Sequence, residues 1–363
     1  MNDNGLMNLL GLTYGQLAAL FRQRYGKGPF HAAALYRAFF QAPEPDLGNL
    51  DAFAASPRLR ERVCGDLETA LPRVVDRIAA EGVVKLVFGL GDGLRVETVV
   101  IPMANHTTVC ISSQVGCAMG CRFCRTGRMG LWRNLTAAEI VAQVYTVKVL
   151  MGAPVRNVVF MGMGEPLDNF DNVVQAIDVI SDQRGLDIAL RHITLSTVGL
   201  PGGIRRLAAL GWPQLKLAVS LNAPDDGLRD RLMPVNRRHP LESLKQSLRR
   251  YPLAKGNSIF MEYVLIRGVN DDPRFAVDLA AFFQGLDIKL NLIAFNPSEG
   301  SPFEAPYEED LERFHRALID QRIFVRRRNS KGAGILAACG QLGAGPGNQS
   351  RTAVASSPSA LAI

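Results

Sequence analysis

Short β-like runs alternate with helical stretches from Thr107 to Arg328, and this alternation limits the fold more than any other feature. The strand-like runs are "TTVCIS", "NVVFMG", "HITLST", "LKLAVSL", "SIFMEYVLI", "IKLNLIAF" and "IFVRRR". Between them lie "AAEIVAQVYTVKVL", "FDNVVQAIDVIS", "PGGIRRLAAL", "PLESLKQSLRRY" and "RFAVDLAAFFQGL", all with apolar residues at helical spacing. A strand–helix repeat of this kind predicts a parallel sheet, open or curled into a barrel. Chemistry in such folds sits at the carboxyl ends of the strands. With 363 residues the chain has room for one such α/β unit and a smaller one beside it.

The smaller unit precedes the repeat. Residues 1–80 read as helices: "LTYGQLAALFRQRY" and "HAAALYRAFF" are amphipathic, and Gly26, Gly28 and Pro29 separate them. Arg22, Arg24, Lys27 and Arg37 make a basic face, which solvation alone explains. In 81–102, two strand-like runs flank Gly91-Asp92-Gly93, a hairpin signal. The repeat itself occupies 103–336. A terminal segment, 337–363, carries Cys339 and ends in the small, polar stretch "GAGPGNQSRTAVASSPSALAI", which reads as a disordered tail.

The amino terminus lacks a basic segment followed by an apolar core and a cleavage site, and no apolar run reaches membrane-spanning length. The chain therefore reads as cytoplasmic. Thiols stay reduced in that compartment, so clustered cysteines point to metal or to chemistry before structural disulfides. Four of the six cysteines, Cys110, Cys117, Cys121 and Cys124, fall within "TTVCISSQVGCAMGCRFCRTG". The last three follow C-x₃-C-x₂-C spacing. Structural zinc takes four ligands, commonly in two short pairs. An iron–sulfur cluster accepts three cysteines from one loop and keeps one iron open. Cys64 stands apart and reads as a small core residue.

"CAMGCRFC" resembles the radical S-adenosylmethionine (radical SAM) signature, and the wider block "CISSQVGCAMGCRFCRTGRMGLWRNLTAAEI" is similar to the RlmN/Cfr family of RNA adenine methyltransferases. The resemblance runs from about Glu97 to Leu342. It implies a partial (βα)6 barrel holding a 4Fe-4S cluster on Cys117, Cys121 and Cys124, whose open iron takes SAM. It also implies SAM contacts at Gly164 and Glu165 of "FMGMGEPLDN", at Ser196, at Ser220, Leu221 and Asn222, and at Asn296. On their own these are glycine turns and small polar residues at strand ends, ordinary caps one by one. At four successive strand ends they form the pattern of one site on a barrel rim.

Carbon 2 of adenine is not a nucleophile that could attack SAM. The family's answer, by resemblance, uses two SAM molecules. One methylates Cys339, in "AACGQL". The other supplies a 5′-deoxyadenosyl radical that takes a hydrogen from the S-methyl group, and the carbon radical adds to the base. Cys110 then attacks Cys339, leaving a transient disulfide and methylated RNA, while Glu97, in "RVETVVIP", matches a proton acceptor. The implied partners are 23S ribosomal RNA, with tRNA as a second candidate, and an electron donor such as flavodoxin; the implied state is a monomer.

A net charge of +7 and a pI near 9.2 suit a polyanionic partner. Arg122, Arg125, Arg128, Arg133, Arg326, Arg327, Arg328 and Lys331 flank the two cysteine blocks and are candidates for phosphate contact, while a target base would have to leave its stack. One block departs from the family. It usually has acids before the last cysteine, whereas this chain reads "KGAGILAACGQL", with Ala333 and Gly334 at those places. Two other readings stay open: methylation of adenine carbon 8, as in the Cfr type, and an RNA-binding iron–sulfur or zinc protein without methyltransferase activity.

Overall fold

The computed structural model describes residues 6–328 and 331–343. Ten strands form the main sheet and stand side by side in chain order. They are β1 (Arg73–Ala80), β2 (Val83–Gly89), β3 (Arg95–Pro102), β4 (Thr107–Cys110), β5 (Val155–Phe160), β6 (Ile193–Thr197), β7 (Lys216–Ser220), β8 (Ile259–Leu265), β9 (Ile288–Ala294) and β10 (Val325–Arg328). From β4 to β10 every pairing is parallel. That makes the predicted six strand–helix units plus a seventh strand at the edge. β1 to β4 pair antiparallel.

One face of the parallel strands is apolar. Phe160, Leu195, Leu217, Val219, Met261 and Leu292 are buried there to 1% exposure or less, in one core with helices that include α5 (Ala137–Tyr145) and α11 (Glu308–Asp320). Residues that alternate with them face the other way: Ser196, Ser220, Glu262, Asn291 and Arg326. A polar inner face has to line something other than a core.

The sheet curls, and one short segment proves it. Gln341 Nε2 donates to Pro297 O, just past β9, at 2.9 Å, while the Gly343 N–H donates to Glu97 Oε2 on β3 at 2.6 Å. On a flat sheet those strands would stand six spacings apart, roughly 29 Å. Two residues of chain cannot bridge that. The inner face therefore bends around a lumen, and of the open sheet and the barrel that the strand–helix repeat allows, the fold is the partial barrel that the family resemblance implies.

Ahead of the sheet lie α1 (Tyr14–Tyr25), α2 (Pro29–Gln41) and α3 (Pro57–Gly65). Gly26 ends α1 in the left-handed conformation at φ 62°, and Pro29 opens α2. These helices share one continuous apolar core with the barrel helices. Tyr145, closing α5, donates its hydroxyl to Phe39 O at 3.1 Å and stacks on the Phe39 ring at 5.3 Å.

Two expectations are corrected here. Residues 73–80, placed with the helices, form β1, a mostly exposed edge strand. Its Val74, Val75 and Ile78 favour strand, and Glu81-Gly82, both at positive φ, make the tight turn into β2. Cys64 is exposed rather than part of the core. On α3 it follows Val63, which faces inward, so the helical turn carries Cys64 to the surface. The polar tail lies, apart from Gly343, outside the described residues. Among the described residues no helix is long and apolar enough to cross a membrane.

Candidate active site

Cys117, Cys121 and Cys124 occupy the loop between a short strand pair, Gln114–Gly116 with Leu131–Asn134, and the single turn α4 (Arg125–Arg128). The Cys117 N–H donates to Gly130 O at 2.9 Å and the Arg122 N–H to Leu232 O at 2.9 Å, so both ends of the loop are tied down. Burial pushes the three thiols up, Cys117 to about 12, so as free groups they stay protonated. Backbone N–H groups point at the sulfurs: Met119 at Cys117, and Gly127 and Thr126 at Cys124. Such donors stabilise thiolates once iron displaces the protons. Among the described residues no three Cys, His, Asp or Glu side chains converge as ligands of one ion. A cubane fits that spacing, because its irons present separate corners.

Beside this loop, β5 ends in Gly162 and Gly164. Both glycines are needed for close approach to the loop that follows β4. A Cβ on Gly162 would lie 2.6 Å from Ile111 O, and one on Gly164, at φ 103°, would lie 2.7 Å from Gln114 N. Gly164→Ala is expected to destabilise the fold by about 1–3 kcal/mol through backbone strain, read as a lower urea midpoint. An unchanged midpoint would show that the strand end relaxes freely.

Glu165, 2% exposed, accepts the N–H groups of Leu167 at 3.1 Å and Val198 at 2.8 Å on separate oxygens. It thereby joins the ends of β5 and β6. Burial pushes its carboxyl up to about 7 against those hydrogen bonds. Ser196 and Ser220 are half-buried on the lumen face, and Asn296 is half-buried after β9. Leu221 is fully enclosed, and the Asn222 side chain is spent on scaffold: Oδ1 accepts from the Val264 N–H at 2.9 Å.

Arg229, on α8 (Asp226–Leu232), is a fully buried guanidinium and was not singled out from sequence. It donates to Leu221 O at 3.1 Å, Ser220 O at 3.2 Å, Val198 O at 2.5 Å and Asn236 Oδ1 at 2.7 Å. Burial lowers it to about 10, which still leaves it charged at neutral pH. Its fork fixes the ends of β6 and β7 relative to each other.

Cys339 reaches this rim on the segment 331–343, which folds back over the mouth. The Arg125 N–H donates to Gly340 O at 2.8 Å, and Thr126 Oγ1 donates to Leu342 O at 2.6 Å. On the opposite side Lys85 Nζ donates to Leu336 O at 3.3 Å and pairs with Glu97 Oε1 at 3.2 Å in a buried ion pair. Without the family's acids at Ala333 and Gly334, the segment is held by lysines and backbone: Lys331 Nζ donates to Pro102 O at 3.4 Å, and the Ala337 N–H to Gly332 O at 2.9 Å.

Cys339 is open to solvent yet surrounded by protein, as befits a group lining a deep mouth; burial, then Glu262, pushes its thiol up to about 11. Cys110 is buried beneath it. Burial, with Cys339 as the next cause, holds that thiol well above its usual range. All described cysteines are free thiols, so the disulfide implied by resemblance is not formed in this structure.

The basic candidates divide. Arg133 is bound to Asp92 and Glu139, Arg327 to Glu308, and Arg128 to the carbonyls of Gly300 and Glu299. Arg122, Arg326 and Arg328 are exposed at or near the mouth, the last two on the inner face. Glu262, Asn291 and Lys85 also belong to the site and were not singled out. Each is a polar residue inside an apolar strand run, a signal that "SIFMEYVLI" and "VVKLVFG" carry openly. A cavity of about 970 Å³ between Leu10, Arg73, Gly91 and Gln175 shares no residue with this site.

Known proteins match the chain in sequence and in fold. The radical SAM superfamily model matches residues 111–280. The dual-specificity RNA methyltransferase RlmN of Geobacter sulfurreducens is 42% identical over 337 residues, 93% of this chain and 92% of that protein. Its counterpart from Syntrophobacter fumaroxidans is 49% identical over 266 residues, 73% of this chain and 77% of that protein. A radical SAM methyltransferase of known structure from Sphaerobacter thermophilus superposes with a TM-score of 0.84 at 38% identity, covering 93% of this chain and 99% of that one.

Proposed function

Because the chain belongs to the RlmN family of radical SAM RNA methyltransferases, we propose that it methylates carbon 2 of an adenine in 23S ribosomal RNA, and of tRNA as a second substrate, through a methyl group carried on Cys339. The observation that supports this reading is the fold-back of 331–343, which sets Cys339 against both Cys110 and the cluster loop.

When bound at Cys117, Cys121 and Cys124, a 4Fe-4S cluster supplies the electron that cleaves SAM to a 5′-deoxyadenosyl radical. The chain's own residues do the rest. Gly164, Glu165, Ser196, Asn296 and the run Ser220, Leu221, Asn222 shape the seat for SAM at the strand ends, with Arg229 keeping β6 and β7 in place. Cys339 carries the methyl group to the base, and Cys110 resolves the resulting adduct by bonding to the Cys339 sulfur in a transient disulfide. Glu97, on the rim with Lys85, takes the proton the base loses. Arg122, Arg125, Arg326 and Arg328, which form no salt bridge among the described residues, are the cations to meet phosphates. We assign residues 1–72 as an accessory unit, 73–102 as the antiparallel strands at the sheet edge, 103–336 as the barrel and 337–363 as the carrier segment. The enzyme acts in the cytoplasm as a monomer, with a flavodoxin-like electron donor.

The test is anaerobic reconstitution with iron and sulfide, then incubation with SAM, dithionite and unmodified ribosomal RNA. Nucleoside mass spectrometry is expected to show 2-methyladenosine. Finding 8-methyladenosine, or SAM cleavage with no RNA product, would replace this reading.

A further inference from the structure

Methylating Cys339 first requires that its sulfur lose a proton, and the residues facing it narrow the acceptor to one. Glu262 lies in β8, flanked in register by Ser220 on β7 and Asn291 on β9, so its side chain joins theirs on the lumen face. It is 8% exposed. Asn291 Nδ2 donates to Oε1 at 2.7 Å, which holds the carboxyl in one orientation. Oε2 has no hydrogen-bond partner among the described residues.

The charged and titratable groups acting on Cys339 are Glu262 from β8, Arg328 from β10, Cys124 from the cluster loop and Cys110 from β4. Arg328 cannot accept a proton, and Cys110 and Cys124 are themselves thiols. Glu97, the other carboxylate at the mouth, is not among the groups that act on Cys339; it lies on β3, paired with Lys85 Nζ at 3.2 Å. A buried acid with one oxygen held and one free is a poor structural element and a good proton acceptor.

We propose that Glu262 accepts the proton of the Cys339 thiol as that sulfur takes its methyl group. This rests on reading Cys339 as the methyl carrier. The S–H bond breaks and its proton passes to Glu262 Oε2, while the electron pair stays on sulfur. The sulfur forms a bond to the methyl carbon of SAM. The sulfonium–methyl bond breaks with its pair, leaving S-adenosylhomocysteine, and no oxidant or reductant is consumed. The electrostatics agree. Glu262, which burial lifts to about 7 against its Asn291 hydrogen bond and Arg328, changes its proton in the working range. Below that pH the acceptor is already protonated and above it is ionised, so Cys339 methylation should rise with pH through about 7 and then level off.

Two measurements on Glu262→Gln test the assignment in the full-length reconstituted protein: the methyl content of Cys339 by mass spectrometry after exposure to SAM, and the rate of Cys339 alkylation by iodoacetamide. Losing the anion lowers the thiol's pKa, so alkylation at neutral pH should quicken. Losing the acceptor should slow methylation on the order of 10²-fold, with recovery as the pH approaches that of the thiol itself. A residue that only shapes the field would speed both reactions, and that outcome, or no change in methylation, overturns the proposal. If Glu262→Gln loses iron, Glu262→Asp decides, because it keeps the charge and pulls the acceptor back. Alkylation should then match wild type while methylation falls, and equal methylation overturns the proposal. Wild-type protein that never acquires a methyl group at Cys339 defeats the carrier reading itself, before Glu262 enters.

Discussion

Cys110→Ala is expected to come out of cells joined covalently to RNA. In this variant the carrier is intact and only the resolving thiol is gone. Once the methyl carbon on Cys339 has bonded to the base, release needs a second sulfur to attack the first. Cys110, at the end of β4, is a buried thiol whose environment registers Cys339. Turnover should therefore fall to background with the adduct accumulated, and nuclease digestion followed by peptide mapping should find a nucleotide on Cys339. Cys339→Ala should cleave SAM without acquiring a methyl group, an adduct or RNA product. Clean Cys110→Ala protein that still methylates RNA would remove Cys110 from the reaction.

Cys121→Ala should be equally severe, and at an earlier step. The thiol is buried in a loop tied at Gly130 and Leu232, with no spare cysteine beside it to take its place. Iron content and SAM cleavage are expected to drop to background together, while far-UV circular dichroism changes little, since the strands and helices do not depend on this side chain. Cys64→Ala, on the exposed face of α3, should change neither and serves as the control. Full iron loading in Cys121→Ala would overturn the cluster assignment.

Much of the barrel was legible because its signals are local. The seven strand runs and the helices between them announce themselves by apolar periodicity, and the parallel order follows. What escaped the sequence was long-range. β1 alternates Val and Ile with charges but carries no hairpin glycine pair beyond Glu81-Gly82, so its pairing shows only once β2 lies beside it. Glu262, Asn291 and Arg326 stand out as polar residues in their own strands, but only the register sets them in one row. The glycines after β5 gave no local sign that Ile111 and Gln114 crowd them. Arg229 could not be read as a brace, because each carbonyl it holds belongs to a strand end outside its own helix.

The fastening of segment 331–343 ties together two components that would otherwise fail separately. Its anchors at Arg125 and Thr126 lie one and two residues past Cys124, in the turn that closes the cluster loop. Oxidative loss of iron that let this loop shift would also unseat the carrier, leaving Cys339 away from its partner. On the roles proposed for Cys339 and the cluster loop, damage at the inorganic centre would then disarm the thiol in the same event, so a half-assembled enzyme would hold no activated methyl group over an RNA it could not release.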